Sequence, residues 1–335
     1  MLMVIFGAGA SHDSFSPPFR YREHEELRPP LAKELFLNRP YYALMASKLP
    51  KCFQSIIPNL RRPSIVVEHE LENFQMQANG DDVRKSQLAA TRFYLQDVIW
   101  ESQRAWNDKV THGVTNYKTL LDDIRYWRTS EEQKEPVCLV TFNYDTMLEE
   151  ALPGVKINAL SDYVKSDYKV IKLHGSVNWV HPVNTSISGS DWINEVIERA
   201  AELEVGDQTY LMVERGHDGK YNRQYFLPAL AIPIQNKRNY ECPDEHSKIL
   251  PDYLPKIHKL LIIGWSATEQ NFLQMLSEKL SGNPPVRVVS RRIESANQVV
   301  QKLKDAGIKG KFASSEGGFS EFVAQHFADE FLKDP

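Results

Sequence analysis

Four short segments of the sequence carry residue types that bind nucleotides or transfer protons. They are GAGAS at residues 7–11, TFNYD at 141–145, LHGS at 173–176 and GWS at 264–266. The glycines of GAGAS would let the backbone turn sharply and approach a pyrophosphate, whose negative charge would meet N–H groups. The other segments supply a carboxamide, a carboxylate and an imidazole. His174 is a candidate general base because an imidazole titrates near neutral pH.

Each segment by itself also has a simpler explanation. GAGAS could be an ordinary tight turn, and Asn143 or Asp145 could cap the helix that follows them. An isolated histidine such as His174 is more often structural than catalytic, and GWS could be a plain strand-to-helix turn. GAGAS is also not the full dehydrogenase fingerprint, because His12 stands at the third glycine and no strand-ending acid follows about 20 residues later. These features disfavour a dehydrogenase.

The four segments follow apolar runs that are continuous rather than alternating, which is typical of parallel strands buried on both faces. Such runs predict strands at residues 2–6, 137–141, 169–173, 260–264 and 286–290. Helical patterns follow at residues 144–152, 270–280 and 293–306. The alternation predicts an α/β fold, a Rossmann-like, doubly wound and mostly parallel sheet. Since parallel strands end at one edge of the sheet, the four segments together predict one dinucleotide site.

A long helical stretch separates the first two predicted strands. Apolar residues at three-to-four spacing predict a large helical insertion at residues 21–127. The sheet domain is then discontinuous and comprises residues 1–20 and 128–335. The remaining predictions are a loop-rich cap at 181–253 containing a helix at 192–203, and a final amphipathic helix at 321–332.

The composition narrows the class of protein further. The chain has 335 residues, of which 42% are hydrophobic and 25% charged, with a net charge of −4. These average values exclude disorder and coiled-coil rods, and they predict no general attraction to nucleic acid or membranes. The three cysteines form no CxxC pair and the ten histidines no HxxxH motif. We therefore expect no disulfide, no bound metal and a reducing, cytoplasmic compartment.

The order of the four segments resembles the sirtuin (silent information regulator) family of NAD-consuming enzymes. Residues 7–20, GAGASHDSFSPPFR, have the length of the family's opening signature GAGISTSAGIPDFR. They match it at Gly7, Ala8, Gly9, Ser11, Pro17, Phe19 and Arg20, and the positions that differ include Phe15 and Pro18, where the family has glycine and aspartate. TFNYD resembles the family's TQNID, with Phe142 in place of its glutamine. The resemblance covers residues 1–20 and 135–335 but not the helical insertion.

This resemblance implies a role for each matched residue in cleaving NAD. His174 would act as general base on a ribose hydroxyl or on water. Asn143 would position the water or the ribose hydroxyls, and Asp145 would hold the nicotinamide carboxamide or orient Asn143. The expected NAD-binding residues are Gly7, Ala8, Gly9 and Ser11 at the pyrophosphate, Phe19 and Arg20 at the nicotinamide side, and Thr141, Gly264, Trp265, Ser266 and Ser290.

Two further features are similar to one branch of that family. Deacetylating sirtuins usually carry a zinc module built on two CxxC pairs, which this chain lacks. RPPL at 28–31 and GWSATEQNF at 264–272 look like segments of prokaryotic sirtuin-like defence proteins, which hydrolyse NAD to halt an infected cell. The resemblance implies an NAD hydrolase (NADase) that uses NAD as substrate, needs no metal, and acts as an antiphage effector through abortive infection.

Such a hydrolase needs restraint, so we expect a homo-oligomer with a separately encoded partner. The resemblance suggests a HerA-type ATPase or a short Argonaute-type protein, with nucleic acid contacted only through that partner and no contact with membranes. Two other functions stay open. One is an NAD-dependent protein deacylase, which transfers an acyl group from lysine to ADP-ribose. The other is a non-catalytic subunit that senses NAD or ADP-ribose.

Overall fold

The computed structural model of the chain describes residues 1–15, 26–37, 47–62, 65–130, 132, 135–184, 191–203, 209–214, 225–234 and 240–334. Its strands are β1 Leu2–Phe6, β2 Val137–Thr141, β3 Tyr168–Lys172, β4 Gly175–Val183, β5 Leu211–Met212, β6 Tyr225–Leu230, β7 Lys259–Ile263, β8 Pro285–Val289 and β9 Lys311–Ser315. Its helices are α1 Ala8–His12, α2 Pro50–Ser55, α3 Ile57–Leu60, α4 Val67–Gln77, α5 Asp82–Trp106, α6 Asn116–Ser130, α7 Met147–Glu150, α8 Asp162–Lys165, α9 Trp192–Glu198, α10 Asp244–Tyr253, α11 Gln270–Lys279, α12 Ile293–Asp305, α13 Gly318–Ala324 and α14 Phe327–Lys333.

Six parallel strands form the central sheet, in the order β3-β2-β1-β7-β8-β9. Every residue of β1 and β2 is buried, which explains why continuous apolar runs encode them. The predicted Rossmann-like α/β fold with a helical insertion is confirmed. The chain moves outward from β1 to β3 on one side and from β7 to β9 on the other. Ligands bind in such sheets where the strand order reverses, at the carboxyl ends of the strands.

Most predicted elements of the sheet lie where the sequence places them. The five predicted strands are confirmed to within one residue, and α11 and α12 each end one residue before the predicted position. Of the helix predicted at 144–152, only the short α7 is present. The helix predicted at 192–203 is α9, which begins as predicted but ends at Glu198. The helix predicted at 321–332 is two helices, α13 and α14, because His326 between them has a left-handed backbone (φ 59°).

A second hydrophobic core lies beside the sheet. It combines α4 and α5 with β4 and β6, which pair in an antiparallel three-stranded sheet of order β5-β4-β6. Residues 181–183 and 225–230, which the sequence places in a loop-rich cap, therefore belong to strands. Both contain a proline, Pro182 or Pro228, a residue that is unusual within strands, so the sequence pattern does not mark them as strands.

Helix α6 packs on the central sheet and not on this second core. Its apolar side, with Tyr117, Leu120, Leu121 and Ile124, is fully buried in the core that contains β1 and β2. The predicted insertion extends to residue 127 and so includes most of α6, whose buried side lies in the core of the sheet. In the described part of the chain, no helix is both long and apolar enough to cross a membrane.

Candidate active site

A cleft of about 530 Å³ opens at the carboxyl ends of β1, β2, β7 and β8. This volume is in the range of small-molecule sites. The predicted site residues that line it are Gly7, Ala8, Gly9, Ser11, Asn143, Asp145, His174, Gly264, Trp265, Ser266 and Ser290. Thr141 lies just behind the cleft, and Phe19 and Arg20 lie outside the described residues. The sequence thus brings four separate segments to one cavity.

The glycines of the first turn pack against the end of β7. The backbone N–H of Gly7 donates to the carbonyl oxygen of Ile263 at 3.1 Å, and that of Gly9 to the carbonyl oxygen of Gly264 at 3.0 Å. A Cβ at Gly7 would lie 2.5 Å from the Cα of Trp265, and one at Gly264 only 2.3 Å from the nitrogen of Ala10. Close packing of two turns therefore requires these glycines, whereas the sequence attributes them to the approach of a pyrophosphate.

Asn143 is buried and held in one orientation. Its side-chain nitrogen donates to the carbonyl oxygen of Gly7 (2.9 Å), to the hydroxyl of Ser11 (2.9 Å) and to that of Tyr117 (3.1 Å). Its backbone N–H donates to the hydroxyl of Thr141 at 3.0 Å, which gives Thr141 a supporting place. The side-chain oxygen of Asn143 is buried and has no hydrogen-bond partner among the described residues. Asn143 therefore offers an acceptor to a ligand.

Tyr117 is a site residue that the sequence analysis missed. Its hydroxyl is 2.9 Å from that of Ser11 and also contacts Asn143, although it comes from α6, far from either motif in the chain. Burial, followed by the nearby charge of Asp145, raises the pKa of Tyr117 well above its ordinary value, so the hydroxyl stays neutral. Helical spacing identifies Tyr117 only as a core residue, so no sequence signal could have found it.

Asp145 lines the cleft and also caps a helix. One of its carboxylate oxygens accepts the backbone N–H of Met147, the first residue of α7, at 3.2 Å. Its carbonyl oxygen accepts a hydrogen bond from the ammonium group of Lys172, which is fully buried and forms an ion pair with Glu149 at 2.8 Å. Capping and a place in the cleft, which the sequence analysis treats as alternatives, occur together.

His174 lies against an aromatic wall, which consists of Phe142, Trp265 and Phe272. Its ring centroid is 4.9 Å from that of Phe142, which stacks on Trp265 at 5.3 Å with an angle of 8° between the planes. Phe272 packs edge-on against both of these rings. The imidazole is almost completely buried and is therefore shielded from bulk water.

Glu269 is the second site residue that the sequence analysis missed. One oxygen of its carboxylate lies 3.8 Å from Nε2 of His174, within ion-pair distance. The other oxygen accepts the indole N–H of Trp265 at 2.6 Å. Glu269 stands in the GWSATEQNF segment just before α11, where an acidic residue could equally have been exposed on the surface.

The two sides of the cleft differ in character. Leu31, Leu35, Ile99 and Ile234 form an apolar side. The other side, at the end of β8 and along α12, carries two cations, Arg291 and Lys302, beside Ser290 and Ser295. The ammonium group of Lys302 donates to the carbonyl oxygen of Ser266 at 2.7 Å.

His12, at the place of the third glycine of the dehydrogenase fingerprint, also lines the cleft. Its Nδ1 is 2.9 Å from the carbonyl oxygen of Pro29 and 3.7 Å from the carboxylate of Glu34. Burial lowers the pKa of His12 from its ordinary value. This ring ties the first turn to the RPPL segment.

The arrangement suits a ligand with a polar reacting end and an anionic part. The described residues contain no group of three His, Cys, Asp or Glu side chains placed to hold a metal ion. The cleft instead offers an amide acceptor on Asn143, an imidazole on His174 and carboxylates on Asp145 and Glu269. Imidazole and carboxylate groups are typical of acid–base chemistry at a bound substrate, and an amide oxygen can orient the group that loses a proton.

Comparison with known families agrees with this arrangement. The sequence model of the SIR2-like domain matches residues 137–305, which is half of the chain. The match runs from β2 to the end of α12 and contains Asn143, Asp145, His174 and Glu269. No curated protein sequence matches the chain. The chain therefore belongs to the SIR2-like domain family, and its activity is related to NAD.

Proposed function

We propose that the protein is an NAD hydrolase that cleaves the nicotinamide–ribose bond to give nicotinamide and ADP-ribose. The observation that carries the proposal is the buried side-chain oxygen of Asn143, which has no partner among the described residues. An unpaired buried acceptor costs about 1–3 kcal/mol. A water molecule or a ribose hydroxyl would satisfy it. His174 lines the same cleft and supplies a base for such a donor.

The reaction needs water and a base but no other co-reactant. When the nicotinamide–ribose bond breaks, both bonding electrons go to the pyridinium nitrogen, so nicotinamide leaves as a neutral molecule. The ribose carbon becomes oxocarbenium-like and bonds to the oxygen of water. His174 accepts the proton that this water loses and later returns it to solvent. NAD and water thus give nicotinamide, ADP-ribose and one proton.

Different residues of the cleft would bind different parts of the substrate NAD. Asn143 would orient the water or the ribose hydroxyls, and Asp145 would hold the nicotinamide carboxamide. The apolar side of the cleft would limit the entry of other water molecules. Arg291 and Lys302 would attract the phosphates, because cations form strong hydrogen bonds with phosphate oxygens.

We further propose a biological role by resemblance. The RPPL and GWSATEQNF segments are similar to those of prokaryotic antiphage effectors, which supports a cytoplasmic NADase of abortive infection. Such an enzyme would work as a homo-oligomer under the control of a separately encoded partner, such as a HerA-type ATPase or a short Argonaute-type protein. The helical insertion offers a surface for that partner.

Incubation of the purified chain with NAD tests the proposal, with the products separated by chromatography. A hydrolase releases nicotinamide and ADP-ribose in equal amounts without any acyl-lysine peptide. Release that requires an acetylated peptide and forms an O-acyl-ADP-ribose would indicate a deacylase instead. Tight NAD binding without consumption, even with the product of the neighbouring gene present, would indicate a sensor.

A further inference from the structure

We infer that Glu269 is a positioning residue for His174, whose carboxylate stabilises the imidazolium formed when His174 accepts a proton. This inference rests on the proposed NAD hydrolysis, because that reaction requires a base in the cleft. It adds a second carboxylate, distinct from Asp145, to the reacting end of the site.

The carboxylate of Glu269 is held in place by hydrogen bonds to one of its two oxygens. One oxygen accepts the indole N–H of Trp265 at 2.6 Å and the backbone N–H of Thr268 at 3.2 Å. The side chain is only 14% exposed and that of His174 only 5%. Trp265 itself is stacked on Phe142, which also packs on His174. Glu269, Trp265, Phe142 and His174 therefore form a closed ring of contacts, and this ring fixes the second oxygen toward the imidazole.

The distance between the two groups sets what Glu269 can do. At 3.8 Å, its oxygen is within ion-pair range of Nε2 of His174 but beyond hydrogen-bond distance. The carboxylate therefore attracts a proton on the imidazole without being the group that donates or removes it. Since both side chains are largely buried, this attraction is stronger than it would be in water.

Two other titratable groups that the structure describes near His174, Tyr144 and Glu241, do not take the place of this carboxylate. The ring of Tyr144 is 6.3 Å away, and burial, followed by the charge of Glu269, raises the pKa of its hydroxyl, so Tyr144 stays neutral. The backbone of Glu241 pairs with that of His174, but its carboxylate is bonded to His181 at 2.7 Å and to Tyr210 at 3.0 Å.

Three more groups face the same region. Glu68 and Asp145 line the cleft, and Asp145 already accepts the N–H of Met147. Burial raises the pKa of Tyr240, and Glu269 contributes to the rise, so this phenol is neutral too. Among these described residues, Glu269 is thus the one whose carboxylate lies within ion-pair distance of the His174 side chain.

The Glu269→Gln variant tests the inference, because glutamine keeps an acceptor for Trp265 but removes the charge. We expect kcat to fall about tenfold or more, since an opposite charge within about 4–6 Å shifts a proton equilibrium by one unit or more. KM for NAD should change less than about twofold. The matched control is Glu278→Gln, because Glu278 is an exposed acid near the end of α11, the helix that Glu269 precedes. This variant should behave like the wild type.

The pH dependence separates a charge effect from a general loss of structure. His174 must be neutral to act as base, and Glu269 favours its protonated form. Without the charge, neutral His174 persists to lower pH. The acid limb of the pH–rate profile should therefore move to lower pH, while the plateau rate falls. A merely structural role for Glu269 would lower the rate without moving this limb.

Two results would overturn the inference. One is a wild-type rate and pH profile in Glu269→Gln. The other is a lower rate with an unshifted acid limb. If Glu269→Gln does not fold, Trp265→Phe decides, because it removes the N–H that holds the carboxylate and should shift the limb in the same direction by less. A wild-type chain that never consumes NAD contradicts the proposed function and with it this role of Glu269, whereas either of the two results above in an active wild type contradicts the role of Glu269 alone.

Discussion

Asn143 shows how an amide in the cleft is oriented by residues outside its own motif. Three acceptors hold its nitrogen, and each comes from a different part of the chain: Gly7 at the end of β1, Ser11 in α1 and Tyr117 in α6. An amide can flip by exchanging its nitrogen and oxygen, but here the flip would place an oxygen against the carbonyl oxygen of Gly7, which has no proton to donate. The oxygen is thereby kept for the ligand.

Tyr117→Phe tests this orientation. Loss of the hydroxyl removes one acceptor and should lower kcat about fivefold, because a hydrogen bond contributes about 1 kcal/mol. The fold should be retained, since the ring still packs on Phe6 and Phe319. Tyr126→Phe is the control, because Tyr126 lies on the same helix but is 66% exposed. Equal kcat in both variants would show that the hydroxyl of Tyr117 has no part in catalysis.

His246 makes stability depend on pH. Burial, followed by the charge of Lys172, lowers its pKa to about 3, while Nδ1 accepts the backbone N–H of Lys172 at 3.1 Å. Between the unfolded pKa of about 6.5 and pH 3, the unfolded chain binds a proton that the folded chain does not. Stability from the neutral ring is therefore complete above about pH 6.5 and decreases as the pH falls, by up to about 1.4 kcal/mol per pH unit.

Urea unfolding of His246→Asn at several pH values measures this effect. The variant is expected to be less stable at pH 7, because it loses the packing of the ring on Trp179 and Tyr163, but to lose less stability on acidification. His69→Asn, an exposed histidine on α4, should retain the wild-type slope. Equal slopes for His246→Asn and the wild type between pH 6.5 and 4.5 would contradict the assignment.

At the scale of elements, the contact between the turn after β1 and the end of β7 forms the floor of the cleft. Gly264 has φ +62°, and an added Cβ would lie 2.3 Å from the nitrogen of Ala10 and 2.5 Å from the carbonyl carbon of Gly9. Both the positive φ and the close approach therefore require glycine. The two turns cannot separate without opening the cleft that they share.

Gly264→Ala and Gly282→Ala separate these two requirements. Gly282 also has a positive φ, +74°, but no atom lies within 4 Å of its added Cβ. Its alanine variant should lose only the left-handed strain, about 1–2 kcal/mol in the free energy of unfolding. Gly264→Ala should lose more than that and also weaken NAD binding. The same loss in both variants, measured by urea unfolding, would mean that the contact between the turns contributes nothing.

The end of β8 and helix α12 carry the cations expected to meet the phosphates. Arg291→Ala with Lys302→Ala should raise KM for NAD about tenfold or more, since hydrogen bonds to charged groups contribute about 1.5–3 kcal/mol each. The matched double variant is Arg292→Ala with Lys304→Ala, which removes two cations from the same elements but away from the cleft. Steady-state kinetics at fixed ionic strength compares them, and an equal KM in the two variants would exclude this phosphate site.

How much the sequence predicts depends on whether a signal is local. Continuous apolar runs locate five strands of the sheet to within one residue, because burial on both faces leaves a pattern within each strand. β9 is partly exposed along its length and has no such run, whereas β4 and β6 each contain a proline, which argues against a strand in the sequence. Asn143 and His174 follow predicted strands, whereas Tyr117 reaches Asn143, and Glu269 reaches the cleft, only through tertiary packing.

At the scale of the whole molecule, the cleft lies between two hydrophobic cores. The central sheet supplies Asn143 and His174 from its edge. Leu35 and Ile99 on the apolar side belong to the second core, which is built on α4, α5, β4 and β6. A ligand that fills the cleft therefore contacts both cores, so the insertion is part of the site and not only a surface attached to it.

The rate of nicotinamide release from NAD decides whether Asn143 and His174 carry out the proposed hydrolysis. The comparison includes the wild type, Asn143→Ala, His174→Ala and the control Asn283→Ala, whose exposed amide lies away from the cleft. We expect Asn143→Ala and His174→Ala each to lose about 100- to 10,000-fold in rate while remaining folded under the assay conditions, as their unfolding midpoints would show. The control should lose no activity. Wild-type release of nicotinamide by folded Asn143→Ala or His174→Ala would contradict their proposed roles.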